Sequence, residues 1–271
     1  MRGVPAGRIA CLIAVGLAAS ALVGTQPVSG EAVANGAPAP ATRILAKMDR
    51  QLLKVIHKLQ AHSYSDFPKG DVGRIENERL ALVDRFFARR VYGVKFSDVF
   101  VGLDCLDRGL EHGRGIGFGF AQKFTPPEDK RIATSFAAGA TCLHSLVAEL
   151  HLARAVPGGL VGTVARMGRQ LAKVLHKLQA HRYDYFPKSD VGKIESQGIA
   201  LATHFYAQPV YGVPLSDVFG RLDCLDRNIA YGHGVASAFG HDLASGPDGL
   251  IASSFQAGMR CKQALETELH P

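Results

Sequence analysis

The chain has 271 residues, of which 47% are hydrophobic and 20% charged. This composition is typical of a folded protein and excludes disordered and collagen-like chains. The net charge is +7, but basic residues are mixed with acidic ones and no run of Lys or Arg reaches five residues. Proteins that bind nucleic acids usually gather their basic residues in a patch, so the charge pattern argues against a nucleic-acid partner.

Residues 1–34 predict a secretory signal peptide. Arg2 and Arg8 precede an apolar run of about 15 residues, and small residues at 32–34 form a cleavage site, with an earlier alternative near 21. The run is shorter than the roughly 20 residues of a membrane span, although an uncleaved anchor is the alternative. We therefore expect a periplasmic or secreted protein with no mature transmembrane segment, beginning with a flexible stretch at 35–42.

The rest of the chain repeats itself at an offset of 119 residues without a gap. Residues 54–62 match residues 173–181, and the sequence Leu-Asp-Cys-Leu-Asp-Arg at 103–108 recurs unchanged at 222–227. This period is too long for a stackable solenoid repeat. The pattern predicts a tandem duplication of a domain-sized unit.

Each copy has the apolar period of amphipathic helices, with Pro and Gly at the breaks. In the first copy we predict helices at about 43–62, 72–88, 97–122 and 128–152. No alternating run is long enough to predict a strand, and Tyr92-Gly93-Val94 predicts a turn. The predicted fold is all-α, with two tandem four-helix units at 43–152 and 163–271 that pack together across a linker at 153–162.

Four cysteines lie outside the apolar run that contains Cys11, and each copy holds two of them. The pairs are Cys105 with Cys142 and Cys224 with Cys261, each 37 residues apart. Cys105 and Cys142 lie at similar distances from the break between the third and fourth helices, so antiparallel packing brings them level. We predict one disulfide per copy, in an oxidising compartment; buried free thiols are the alternative.

Repeated aspartates and histidines are the candidates for binding a ligand or metal. Asp107 and its copy Asp226 fall within the apolar face of the third helix, where a carboxylate needs a partner. Asp104 and Asp223 lie at the edge of the same face. His62 and His181 end the first helix of each copy, where a histidine favours the helix dipole. A contact of His62 with Asp107, repeated by His181 with Asp226, is a hypothesis. A satisfied structural role is the alternative for each residue.

Aromatic residues repeat in the loops and are candidates for the rim of an apolar cleft, or else anchors that pack the loops onto the bundle. They are Tyr64, Phe67, Tyr92, Tyr183, Phe186 and Tyr211. The glycine-rich stretch at 113–119 resembles a phosphate loop only superficially, because the second copy has alanine and serine there and no strand precedes it. We expect these small residues to allow close helix packing.

Gly-x-Ser-x-Gly, His-Glu-x-x-His and Cys-x-x-Cys motifs are absent from the sequence. We therefore favour a non-catalytic binding or interaction protein that holds a small apolar ligand in the bundle core or between the copies, or that contacts another exported protein. The alternatives are a helical protein that binds a metal or an unidentified cofactor through the repeated Asp and His residues, and a helical hydrolase that uses the same aspartates.

Overall fold

The described part of the chain is mostly helical, which confirms the predicted all-α fold class. A computed structural model describes residues 39–120, 123–153, 155–240, 243 and 247–269, and the predicted signal peptide lies outside them. Its helices are α1 (Ala39–Gln60), α2 (Lys69–Phe86), α3 (Phe96–Phe120), α4 (Pro126–Leu152), α5 (Gly158–Gln179), α6 (Lys188–Phe205), α7 (Leu215–Ala238) and α8 (Asp248–Leu269). None of these helices is apolar enough over a sufficient length to cross a bilayer.

We call residues 39–153 the first half and residues 155–269 the second half. Helices α1, α2 and α3 begin 119 residues before α5, α6 and α7, respectively. Helix α1 begins at Ala39, inside the stretch predicted to be flexible, because Ala41 is buried and extends the apolar stripe of the helix. Helix α2 begins at Lys69, directly after Pro68. The sequence therefore predicts these helices well and their first residues less well.

Each half also contains a hairpin of two-residue strands, which are too short to predict from alternation. Strands β1 (Arg90–Val91) and β2 (Val94–Lys95) are antiparallel, as are β3 (Pro209–Val210) and β4 (Val213–Pro214). Tyr92 and Gly93 have φ angles of 51° and 82°. Two successive positive φ angles are the signature of a type I′ turn, which suits the twist of a tight hairpin. The predicted turn is confirmed.

Helices α3 and α7 lie side by side at the centre of the molecule. Phe100 and Phe219, which are 119 residues apart, have ring centroids 5.2 Å apart. Further along, Gly115 lies against Gly234, again 119 residues apart. Because equivalent positions meet at both places, the two helices run in the same direction. A methyl group on Gly115 would overlap the Tyr231 carbonyl oxygen, so the predicted packing role of the small residues is confirmed.

The helix pair α1–α2 packs on the opposite half of the molecule. Helix α1 contacts α8 as well as α2, and α5 contacts α4 as well as α6. The backbone N–H of Leu243 donates to the Ser65 carbonyl at 3.0 Å, and that of Phe124 donates to the Asp184 carbonyl at 2.7 Å. The predicted separate four-helix units are not confirmed, because the helices of each half share their core with the other half.

Each half has its own disulfide. Cys105 bonds to Cys142 between α3 and α4, and Cys224 bonds to Cys261 between α7 and α8, with Cα–Cα distances of 5.9 and 6.0 Å. Both predicted pairs are confirmed, since antiparallel helices do bring these positions level. The disulfides hold α4 and α8 against the central pair of helices.

Candidate functional site

Four aspartates meet between α3 and α7, and one arginine from α2 reaches them. The Arg79 Nη1 donates to Asp104 Oδ1 at 2.7 Å, and its Nε lies 3.4 Å from Asp226 Oδ1. Arg79 is only 1% exposed. Burial alone would lower its pKa, but the two carboxylates outweigh burial and raise the pKa of Arg79. The guanidinium is therefore a buried cation that neutralises one pair of aspartates.

The second aspartate pair has no such arginine. Gly198 lies at the position equivalent to Arg79, and the Met167 side chain is its nearest neighbour. Asp107 and Asp223 instead lie close enough for their charges to interact, and Arg227 Nη1 lies 3.9 Å from Asp223 Oδ2. Burial raises the pKa of Asp107 to about 7 against the opposing charge of Arg227, and burial together with Asp107 raises the pKa of Asp223. Two buried carboxyls in contact favour a state in which they share a proton.

The predicted burial of Asp107 and Asp226 is confirmed, but the hypothesis that histidines contact them is wrong. His62 Nδ1 lies 2.8 Å from Asp248 Oδ2, and His181 Nδ1 lies 2.5 Å from Asp129 Oδ2. Both contacts join the two halves. The helix α1 that carries His62 packs on α8, which places the ring at the first turn of α8 and away from α3.

On one side of the α3–α7 pair, the central aspartates continue outward into a cluster of charged residues from both halves. This Glu111 cluster consists of Glu111, Arg114, Glu195 and Arg227. The Glu111 carboxylate accepts from Arg227 Nη2 at 2.7 Å and from Arg114 Nη1 at 2.8 Å. Arg227 also donates to Glu195 at 2.7 Å. The Glu111 side chain is 7% exposed and that of Arg227 is 22% exposed, so this cluster is largely enclosed.

The equivalent place on the other side of the α3–α7 pair is a cavity of about 400 Å³ between α2, α3, α4 and α7. Its lining includes Glu76, Arg108, Ala230 and His233, the counterparts of Glu195, Arg227, Glu111 and Arg114. Arg108 keeps the same neighbours, with Glu76 at 2.9 Å and Asp226 at 3.2 Å. Its side chain is 42% exposed. The equivalent residues Arg108 and Arg227 thus lie in an open and in an enclosed setting, respectively.

Smaller side chains open the cavity. Beside the Glu111 cluster the equivalent side chains are Asn228, Tyr231 and Arg114, whereas the cavity has Gly109, His112 and His233. A methyl group on Gly109 would meet the Gly139 backbone at 2.8 to 2.9 Å, so the glycine also allows α3 and α4 to approach closely. The remaining lining consists of five largely apolar residues, Phe67, Val72, Cys105, Ala138 and Ile229, and three polar ones, Arg131, Thr134 and Ser135.

Hydrogen bonds hold the His112 ring at the edge of this cavity. The Ser135 hydroxyl donates to the Gly109 carbonyl at 2.8 Å, so its oxygen accepts from His112 Nδ1 at 2.9 Å. His112 Nε2 lies 3.2 Å from the Ser237 hydroxyl. The neighbouring His233 ring stacks on Phe67 with centroids 4.3 Å apart. These contacts give the cavity a wall whose shape is fixed before any ligand binds.

Among the predicted rim residues, Phe67 lines the cavity. The hydroxyls of Tyr64 and Tyr183 donate to Asp71 and Asp190 at 2.7 and 2.6 Å, which ties each loop to its neighbouring helix. The other three pack on aromatic rings across the halves: Tyr92 on Phe205, Tyr211 on Phe86, and Phe186 on Phe136. Most of the repeated aromatics thus pack the loops onto the bundle, and Phe67 is the one of the six that also lines the cavity.

The sequence analysis did not identify Arg79, Arg108, Arg131, His112 and His233 as candidate site residues.

In the part of the chain that the structure describes, no group of three or more His, Cys, Asp or Glu side chains is arranged to hold a metal ion. Comparison with protein-family models, curated proteins and solved structures gives no match to this chain. What the protein does therefore has to be inferred from the geometry of the cavity itself.

Proposed function

We propose that the protein is an exported binding protein that holds a small ligand with an apolar body in the cavity between α2, α3, α4 and α7. The observation that carries this proposal is the asymmetry of the halves. On one side of the α3–α7 pair, the Glu111 cluster fills the space around Arg227. On the other side, about 400 Å³ is open around the equivalent residues Arg108 and Glu76. Ligand sites of this size are concave, mostly apolar and supplied with a few polar groups, and this cavity fits that description.

Rigid elements surround the cavity, as a preformed binding site requires. The lining residue Cys105 is bonded to Cys142, which fixes the distance between α3 and α4. On the opposite side, the Phe67 ring lies between His233 and Phe255. Little side-chain freedom remains to be lost on binding, which favours affinity.

The same proposal includes export and an origin by tandem duplication. Disulfides persist in oxidising compartments such as the periplasm or the exterior, and both halves have one. The contacts between the halves are reciprocal: His62 with Asp248 corresponds to His181 with Asp129 at an offset of 119 residues. In this view, one copy of an originally symmetric centre has opened into a ligand site.

A neutral fluorescent probe, N-phenyl-1-naphthylamine, tests the site. We expect one molecule to bind per chain, with enhanced fluorescence. Ala138→Trp should block binding, because Ala138 is exposed and lines the cavity, whereas Ala137→Trp should not, because Ala137 is the next exposed residue of α4 and is not among the lining residues. Equal binding by both variants, or none by the unaltered protein, would contradict the proposal.

A further inference from the structure

The Glu111 cluster shows which chemical group binds Arg227 in the enclosed setting. Arg227 is surrounded by Glu195, by Asp107 and by the Glu111 carboxylate. Its counterpart Arg108 has Glu76 and Asp226 in the equivalent places. The third carboxylate has no counterpart in the protein, because Ala230 replaces Glu111.

The space that the third carboxylate would take is part of the cavity. Ala230, Arg108 and His233 all line it, and they correspond to Glu111, Arg227 and Arg114, the three residues joined by the short ion pairs of the enclosed half. The aromatic supports correspond as well, since Arg114 lies over the Phe186 ring and His233 stacks on Phe67. The open half thus retains the surroundings of a carboxylate without the carboxylate.

Charge in the lining favours an anion further. Arg131 lines the cavity, and the second half has Leu250 in its place. Arg131 donates to the Ser237 carbonyl oxygen and lies over the Phe120 ring at 5.2 Å. Among the residues that the structure describes, two arginines therefore face a single lining carboxylate, that of Glu76. Asp226 is a neighbour of Arg108 but is already shared with Arg79.

From these observations we infer that the ligand carries a carboxylate, which binds Arg108 where the Glu111 carboxylate binds Arg227; this inference rests on the proposed function. The apolar body of the ligand then lies along Phe67, Val72 and Ile229. Arginine binds carboxylates through paired, charge-assisted hydrogen bonds that are roughly twice as strong as neutral ones. A small monocarboxylic acid with a flat or branched apolar body is the class of ligand that this geometry selects.

Matched probes test the charge separately from the apolar body. We expect naphthalene-2-carboxylate to bind at least about tenfold more tightly than naphthalene-2-carboxamide by titration calorimetry, since one charge-assisted contact is worth about that factor. The ratio of the two affinities is the readout, because it cancels the contribution of the shared ring system.

Two variants at Ala230 refine the test. Ala230→Glu supplies the missing carboxylate from the protein, so the affinity ratio should fall to one or below as the two carboxylates compete for Arg108. Ala230→Gln has nearly the same size without the charge, so it should weaken both probes by a similar factor and leave the ratio above one.

The outcomes separate this inference from the function on which it rests. Equal affinities for the two naphthalene probes in the unaltered protein, with N-phenyl-1-naphthylamine still displaced by both, would overturn the carboxylate and leave the binding function standing. Failure of all three probes to bind would overturn both. If the Ala230 variants do not fold by circular dichroism, the ratio measured in the unaltered protein still decides the question.

Discussion

The open cavity and the Glu111 cluster occupy equivalent places on one repeated framework, and few residues distinguish them. Both contain an arginine paired with a glutamate from the neighbouring helix, at 2.9 Å in the cavity and 2.7 Å in the cluster. They differ in that Ala230 faces the cavity where Glu111 completes the cluster. The comparison indicates that Ala230 in place of Glu111, together with the smaller side chains of Gly109, His112 and His233, leaves this frame open.

A second asymmetry lies deeper, between the aspartate pairs. Asp104 and Asp226 share Arg79, whereas Asp107 and Asp223 lie beside Gly198 and have Arg227 as their cation. Desolvating a charge is costly unless it is paired. Arg79 is fully buried between the first pair, while Arg227 is shared with the Glu111 cluster, so we expect the second pair to hold a proton in addition.

Arg79→Met should have the largest effect on stability, because it removes the buried cation from between Asp104 and Asp226. Removing one partner of a buried ion pair costs about 3–5 kcal/mol, so we expect a loss of that size in the free energy of unfolding, measured with urea. In an Asp104→Asn background the same change should cost clearly less. An identical loss in both backgrounds would show that Arg79 stabilises the protein through packing rather than charge.

Glu111→Ala should open the Glu111 cluster into a second cavity beside Arg227. We expect a loss of about 2 kcal/mol, because Arg227 and Arg114 lose charge-assisted hydrogen bonds but Arg227 retains Glu195. The variant should also bind a second molecule of naphthalene-2-carboxylate, which calorimetry reports as a stoichiometry of two. Glu111→Gln retains the volume and is the control; a stoichiometry of one in the alanine variant would contradict the equivalence of the two places.

The proton shared by Asp107 and Asp223 predicts a pH dependence. An unfolded aspartate has a pKa near 3.9, whereas the folded pKa of Asp107 is about 7. Between these values the folded state binds more protons than the unfolded chain, so the free energy of unfolding falls as the pH rises and levels off above the folded pKa. We expect a fall of about 1–2 kcal/mol between pH 5 and pH 7 from this pair.

Asp223→Asn should flatten that fall, because the amide donates a hydrogen bond to Asp107 without a proton from solution. Its equivalent in the other pair, Asp104→Asn, is the comparison: it removes the closest carboxylate of Arg79 and should destabilise the protein. Because burial raises the pKa of Asp104 as well, this variant should remove only the share of the pH dependence that Asp104 contributes. Urea unfolding at several pH values measures both variants. A slope unchanged by Asp223→Asn would show that the proton is not held there.

How much of this was predictable depends on what a sequence pattern encodes. The helices, the disulfide pairs and the burial of Asp107 follow from spacing within one helix or between adjacent helices. The period of α1 shows which face is buried, but it does not show against which helix, so the contact of His62 with Asp248 could not be predicted. Arg79 reaches Asp104 from a different helix, and no local pattern marks that contact.

A signal for the cavity was nevertheless present in the repeat. Aligning the copies shows that Gly109, His112, Ala230 and His233 are each smaller than their counterparts. Identity between copies drew attention to shared residues such as Tyr64, which proved to be anchors. Where two repeats of the sequence form the same framework, differences in side-chain volume mark a candidate site better than the identities do, because they distinguish a filled position from an open one.

The smallest expected effect concerns a region in which the halves are alike. His62 and His181 end their helices with φ angles of 49°, and each ring contacts a buried aspartate of the other half. The chain forms a Schellman cap there, since the Ser63 N–H donates to the Lys58 carbonyl at 2.8 Å. A left-handed conformation costs a non-glycine residue about 1 kcal/mol, which the contact with aspartate offsets.

His62→Ala loses the contact and keeps the strained backbone, whereas His62→Gly loses the same contact and relieves the strain. We therefore expect the glycine variant to be more stable than the alanine variant by about 1 kcal/mol, with the same order at His181. Thermal unfolding of the four single variants measures this. Equal stabilities of the alanine and glycine variants would contradict the strain, and unlike responses at His62 and His181 would show that the asymmetry extends beyond the cavity and the aspartate pairs to the contacts that join the halves.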